Sequence, residues 1–178
     1  MLKRAGVDHM LRAAAGISRL DRFVMIGSGA AIAVQPRLPL AMMLTSEIDI
    51  YPDGVPDPSD VSELIATAIG RDSQFHRTFH YYVDGVGPGT ATLPEGWRER
   101  LIPYTSPDAP GVTALCLDLT DLAVAKMCAG REKDIAWLRA AIEAGLLSRA
   151  GIERRLDLLT DPRAPDRAVL SSRLDAAA

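Results

Sequence analysis

The sequence predicts an α+β fold, α/β-like in its first half: a small mixed β-sheet flanked by helices, followed by a helical C-terminal part. Three observations lead there. Residues 23–26 are a short apolar run that stops at Gly27-Ser28-Gly29, as a buried strand does when it opens into a tight turn. Residues 43–51 alternate, so Glu47, Asp49 and Tyr51 share one strand face while Ile48 and Ile50 share the other. After Leu117 the pattern changes to runs with helical spacing and capping residues.

Taken in order, Val7, Met10, Leu11, Ala14 and Ile17 recur near helical spacing and predict a helix over residues 7–22. Residues 29–34 read as a short helix cut by Pro36 and Pro39. Residues 52–60, rich in Pro, Asp and Gly, form a loop. Asp60 and Glu63 have capping-box spacing for a helix ending at Ile69. A third strand is expected over residues 79–83, opening into Asp84-Gly85, with further short strands at 90–93 and 112–117. The turn around Leu93-Pro94-Glu95-Gly96 should anchor Trp97 in the core. Downstream, Asp118 or Thr120 caps a helix to about residue 129, and residues 131–144 make a second, stopped by Gly145. Ser148 caps a third through Leu159, and residues 167–174 give a last turn or two before a frayed Ala tail. The chain therefore divides into a sheet part with its N-terminal helix, residues 1–117, and a helical part packed on it, residues 118–178.

Composition narrows the function. At 178 residues the chain can bury one good-sized core. A formal net charge of -3 argues against a large, non-specific grip on nucleic acid, and 5% aromatic content against stacking platforms for single strands. No apolar stretch has the length of a bilayer span or a signal core, so no membrane partner and a cytoplasmic location are expected. Cys116 and Cys128 are too few for a disulfide framework or a zinc site and read as buried free thiols.

Two carboxylates at i, i+2 on one strand face, Glu47 and Asp49, can hold a divalent cation through oxygen ligands; the other reading is the solvated side of an edge strand. Gly27 and Ser28 offer backbone N–H groups and a hydroxyl to a phosphate, or make only a tight turn. Asp84 would bring a third carboxylate to the same spot, or is simply the start of a turn. Lys126 lies among small and apolar residues, where a lysine either reaches out to solvent or faces a triphosphate. The run Arg131-Glu132-Lys133-Asp134 opens a helix as a solvated charge run, unless Asp134 orients Lys126 or a neighbouring arginine. His76 and His80 lack a third ligand and do not make a metal site.

Gly27-Ser28-Gly29-Ala30 followed by Thr45-Ser46-Glu47-Ile48-Asp49 resembles the Gly-Ser plus Asp-x-Asp signature of the nucleotidyltransferase superfamily. Leu93-Pro94-Glu95-Gly96-Trp97, Asp121 to Lys126 and Ala129-Gly130-Arg131-Glu132-Lys133-Asp134 resemble a bacterial nucleotidyltransferase-like family of unassigned function, similar to the nucleotidyltransferases of AbiEii-type toxin–antitoxin systems. The resemblance spans roughly residues 20–160. It implies a nucleotidyltransferase fold, Mg²⁺ at Glu47 and Asp49, and a nucleoside triphosphate at Gly27 and Ser28; Asp84 stands as the third catalytic acid by its place at the end of its strand, with no motif of the family behind it. Lys126 and Asp134 would complete the nucleotide site from the C-terminal helices. It also implies an RNA, protein or small-molecule hydroxyl as acceptor, and a cognate antitoxin-type protein as partner. The chain departs from the superfamily pattern at Glu47, where an aspartate stands, and no arginine precedes this strand at residues 41–45. That departure supports a second reading, a binding or regulatory module that keeps the fold and has weakened transfer.

Overall fold

Phe23, Val24 and Met25, with no apolar neighbour to spare for solvent, are completely buried and form the middle of the sheet. In the computed structural model, which describes residues 1–177, the chain runs α1 (Arg4–Ser18), β1 (Arg22–Ile26), α2 (Ser28–Val34), a 3₁₀ turn (Leu40–Met43) and β2 (Glu47–Pro52). Next come α3 (Ser59–Ile69), α4 (Gln74–Phe79), β3 (Tyr82–Gly85), a second 3₁₀ turn (Arg98–Arg100), β4 (Ile102–Ser106) and β5 (Ala109–Cys116). The C-terminal helices are α5 (Leu119–Ala129), α6 (Glu132–Glu143), α7 (Arg149–Leu156) and α8 (Arg167–Ala177). The five strands make one mixed sheet in the order β3-β2-β1-β5-β4. β1 pairs antiparallel with β2 and parallel with β5; β2 and β3 are parallel, and β4 and β5 antiparallel. This is the expected α+β architecture. One hydrophobic cluster runs from Leu2 to Ala177, so residues 1–117 and the helices after them share a core. Among the described residues, no helix is long and apolar enough to cross a membrane.

Several local expectations need correction. Residues 90–93 bend instead of forming a strand, because the Thr90 hydroxyl accepts the Gly87 N–H at 3.1 Å and closes a turn. The fifth strand is β4, whose exposed Ile102 and Pro103 carry no alternating pattern; its antiparallel pairing with β5 makes it a strand. The strand placed at residues 79–83 begins later, at Tyr82. Before it comes α4, started by Ser73, whose hydroxyl accepts the His76 N–H at 3.1 Å, and ended by His80 in the left-handed region. Helix α3 begins at Ser59 with Pro58 as N-cap, and Asp57 accepts the Ser59 N–H at 3.0 Å, so Asp60 sits inside the first turn. Trp97 is half-buried against the core, with Arg98 stacked on its ring. Cys116 is buried and Cys128 half-buried, both as free thiols. The alanine tail is helical: Leu170, Leu174 and Ala177 of α8 are buried, and only residue 178 lies outside the described residues.

Three polar devices fix the helical layer. Of the two candidates for α5, Asp118 is the cap and Thr120 lies inside the helix; Ser148 caps α7 as expected, and the two accept the N–H groups of Asp121 at 2.7 Å and Gly151 at 3.1 Å. Asp121, wholly buried, receives Arg100 Nε and Nη2, each at 2.9 Å, and Arg155 Nη1 at 2.5 Å. The Glu95–Arg100 segment is thereby locked to α5 and α7, and Glu95 donates its N–H to the Leu158 carbonyl at 2.8 Å. At the other end of α5, Arg173 of α8 donates to the carbonyls of Met127 at 2.6 Å and Cys128 at 3.0 Å.

Candidate active site

Gly27 ends β1 in a conformation open to glycine alone, with φ 74° and ψ −171°. The space a side chain would need is already taken: a Cβ there would lie 2.0 Å from Asp49 Oδ2. The reason is register. Ile26 pairs with Asp49 across the β1–β2 ladder, so the turn after Ile26 passes directly over the Asp49 carboxylate. The other face of β2 is packed just as closely by α2, where a Cβ on Gly29 would meet Ile48 Cγ2 at 2.7 Å. Strand alternation then turns Glu47 and Asp49 together into a cleft, as the sequence anticipates.

The cleft has two arms meeting at Asp49. One, of about 170 Å³, is lined by Gly27, Ser28, Thr45 and Trp137. The other, of about 450 Å³, is lined by Arg71, Asp84, Thr90 and Ala125. Gly27 itself, with Glu47, Asp49, Lys126, Arg131 and Lys133, borders both. Asp84 pairs with Asp49 in the parallel β2–β3 register, which puts it beside Asp49 on the same face, at an exposed position. Among the described residues no three acidic, imidazole or thiol side chains converge closely enough to enclose an ion, so the three acids do not form a closed cage.

Charge explains the arrangement. Burial, together with the neighbouring charges of Glu47 and Asp84, pushes the Asp49 carboxyl up to about 7, against the smaller opposing pull of Lys126 and Lys133. A carboxylate so placed is short of positive charge, and a divalent cation would supply it. Two carboxylates with substrate phosphates and water make a suitable donor set for Mg²⁺. Glu47 and Asp49 therefore fit the ion, with Gly27 leaving room for Asp49.

Asp134, fully buried, has no surface facing the cleft and acts from behind it. It accepts Lys126 Nζ at 3.0 Å and Arg131 Nε at 2.6 Å, and Lys126 Nζ sits 5.1 Å over the Trp137 ring. Burial lowers the affinity of Lys126 for its proton, and Asp134 opposes that loss. For Asp134 burial works towards neutrality, but the bonds and charges of Arg131 and Lys126 prevail and hold it below the ordinary carboxylate value. Lys126 is thus a fixed cation at the cleft wall, not a solvent-seeking one.

Arg131 and Lys133, a solvated charge run by their pattern alone, line the cleft, and Arg71, Tyr82 and Trp137 stand at or beside it without belonging to any motif quoted above. Tyr82 had a signal available, because it stands two residues before Asp84 on β3 just as Glu47 stands before Asp49 on β2. Arg71 had none, since it reaches the cleft only through the turn after α3.

No curated protein and no solved structure matches the chain. Residues 5–162 match a family described as nucleotidyltransferase of unknown function (DUF6036), and the chain belongs to that family.

Proposed function

We propose that the protein is a Mg²⁺-dependent nucleotidyltransferase that moves the nucleotide of a nucleoside triphosphate onto an acceptor hydroxyl. The observation that carries this reading is the Asp49 carboxylate seated against the bare Gly27 turn, inside a cleft that also gathers Glu47, Lys126, Arg131 and Lys133. The triphosphate lies in the Ser28 arm, where Lys126 and Arg131 meet its charge and Ser28 offers a hydroxyl. The acceptor enters by the Asp84 arm, so that donor and acceptor approach Asp49 from opposite sides. A Mg²⁺ held by Glu47 and Asp49 would neutralise charge on the phosphates. The acceptor oxygen bonds to the α-phosphorus, the bond to the β-phosphate bridge breaks, and pyrophosphate leaves. Asp84, exposed beside Asp49, is placed to take the hydroxyl proton.

The test is a thermal-shift titration with each of the four nucleoside triphosphates, with and without Mg²⁺, followed by transfer of α-labelled nucleotide. Stabilisation requiring both nucleotide and Mg²⁺, lost in Asp49→Ala, is the expected result. Unchanged labelling by Asp49→Ala, or indifference of the wild-type protein to every nucleotide with Mg²⁺, would overturn the assignment.

A further inference from the structure

Glu47 extends one methylene further from β2 than an aspartate would, and its two carboxylate oxygens have different surroundings. Tyr82 is its register partner on β3 and is 2% exposed. The Tyr82 hydroxyl donates to Glu47 Oε2, and Arg71 Nη2 donates in turn to the Tyr82 hydroxyl oxygen. Arg71 Nη2 also lies 3.5 Å from Glu47 Oε2, and its guanidinium carbon sits 5.0 Å from the Tyr82 ring centroid. The His76 ring packs on Tyr82 with centroids 4.8 Å apart. Oε1 faces Lys133 Nζ at 3.9 Å, on the cleft side.

We infer that Tyr82 is a positioning residue for the cation site: it tethers Oε2 of Glu47 and so presents Oε1, beside Asp49, as the ligand. This rests on the reading of Glu47 and Asp49 as the cation's ligands. Glu47 and Tyr82 are then a matched pair. An aspartate at residue 47 would draw the carboxylate back by about 1.5 Å, one carbon–carbon bond, and out of reach of the phenol. The longer side chain is an alternative construction of the site rather than a step towards losing it. Groups that hold a ligating carboxylate in place typically change metal affinity by about 10–100-fold when removed.

The experiment is Mn²⁺ binding to the full chain, read by electron paramagnetic resonance and calorimetry. Tyr82→Phe, which keeps the ring, should weaken Mn²⁺ binding about tenfold or more, while nucleotide affinity without metal stays as in the wild type. Glu47→Asp should also weaken Mn²⁺ binding, and the double variant should bind no worse than Glu47→Asp alone, because the shared bond is already gone. Arg71→Gln, at an exposed position, gives a second variant for which folding is not at risk, and a few-fold weakening is expected. Mn²⁺ affinity in Tyr82→Phe within twofold of wild type, or tighter binding by Glu47→Asp, would overturn the inference while leaving the cation site intact. A wild-type protein that binds no Mn²⁺ would remove the cation reading and this inference with it.

Discussion

Replacing Asp49 with Asn should stabilise the metal-free protein, and by an amount that grows with pH. The Asp49 carboxyl is raised from an ordinary 3.8 to about 7 in the folded chain by burial and by Glu47 and Asp84. A group that binds its proton more tightly when folded adds stability below its unfolded value and loses it as pH rises through the folded one. Between the two values the native state keeps Asp49 protonated while the unfolded chain ionises it, so stability falls by about 1.4 kcal/mol for each pH unit, reaching a loss of about 4 kcal/mol by pH 8, where the buried carboxylate is itself ionised. Asparagine has no charge to desolvate. The gain from Asp49→Asn should be under about 1 kcal/mol at pH 4, about 2 kcal/mol at pH 5 and about 4 kcal/mol at pH 8. For a chain of this length that corresponds to a melting temperature higher by roughly 10 °C at pH 8. Urea denaturation and calorimetry at the three pH values, in chelator, make the measurement. A stability difference that does not change with pH, or a variant less stable than wild type at pH 8, would refute the electrostatic account of this cleft. Adding Mg²⁺ should then raise wild-type stability at pH 8 and leave Asp49→Asn unmoved.

Three further outcomes follow from the geometry. Gly27→Ala places a methyl on the Asp49 carboxylate and forces a backbone conformation confined to glycine; it should cost about 1–3 kcal/mol in urea melts and abolish Mg²⁺-nucleotide stabilisation. Asp121→Ala strips a buried carboxylate from Arg100 and Arg155 and should lower stability by about 3–5 kcal/mol, while any folded fraction keeps its nucleotide affinity. Lys126→Met removes the fixed cation of the cleft wall and should weaken triphosphate binding about tenfold or more in calorimetry, with the deficit shrinking as salt is added.

The parts of this fold written as periodic patterns were legible from the sequence. The apolar run before Gly27 and the alternation from Glu47 to Tyr51 each specify a strand and a face, and that was enough to bring Glu47, Asp49, Gly27 and Ser28 to one cleft. Helices α5 and α7 announced themselves through Asp118 and Ser148. What escaped was set by tertiary pairing. β4 has no alternation of its own, and α4 is a six-residue helix capped by a serine inside a run of aromatic and charged residues. In the site, the same limit applies. Whether Lys126 points to solvent or to the cleft depends on Asp134 and Trp137 arriving from the next helix, and no spacing within α5 encodes that arrival.

The clamp of Arg173 on the end of α5 has a practical corollary. Helix α8 begins at Arg167, beyond the region shared with the family, which stops at residue 162. A fragment trimmed to the shared region would discard the guanidinium that donates to the last carbonyls of the lysine-bearing helix, remove the buried Leu170 and Leu174 from the core and uncover the side of α6 on which α8 packs. The boundary of the region shared with the family is therefore not the boundary of what this protein needs to keep the lysine of its cleft wall in place.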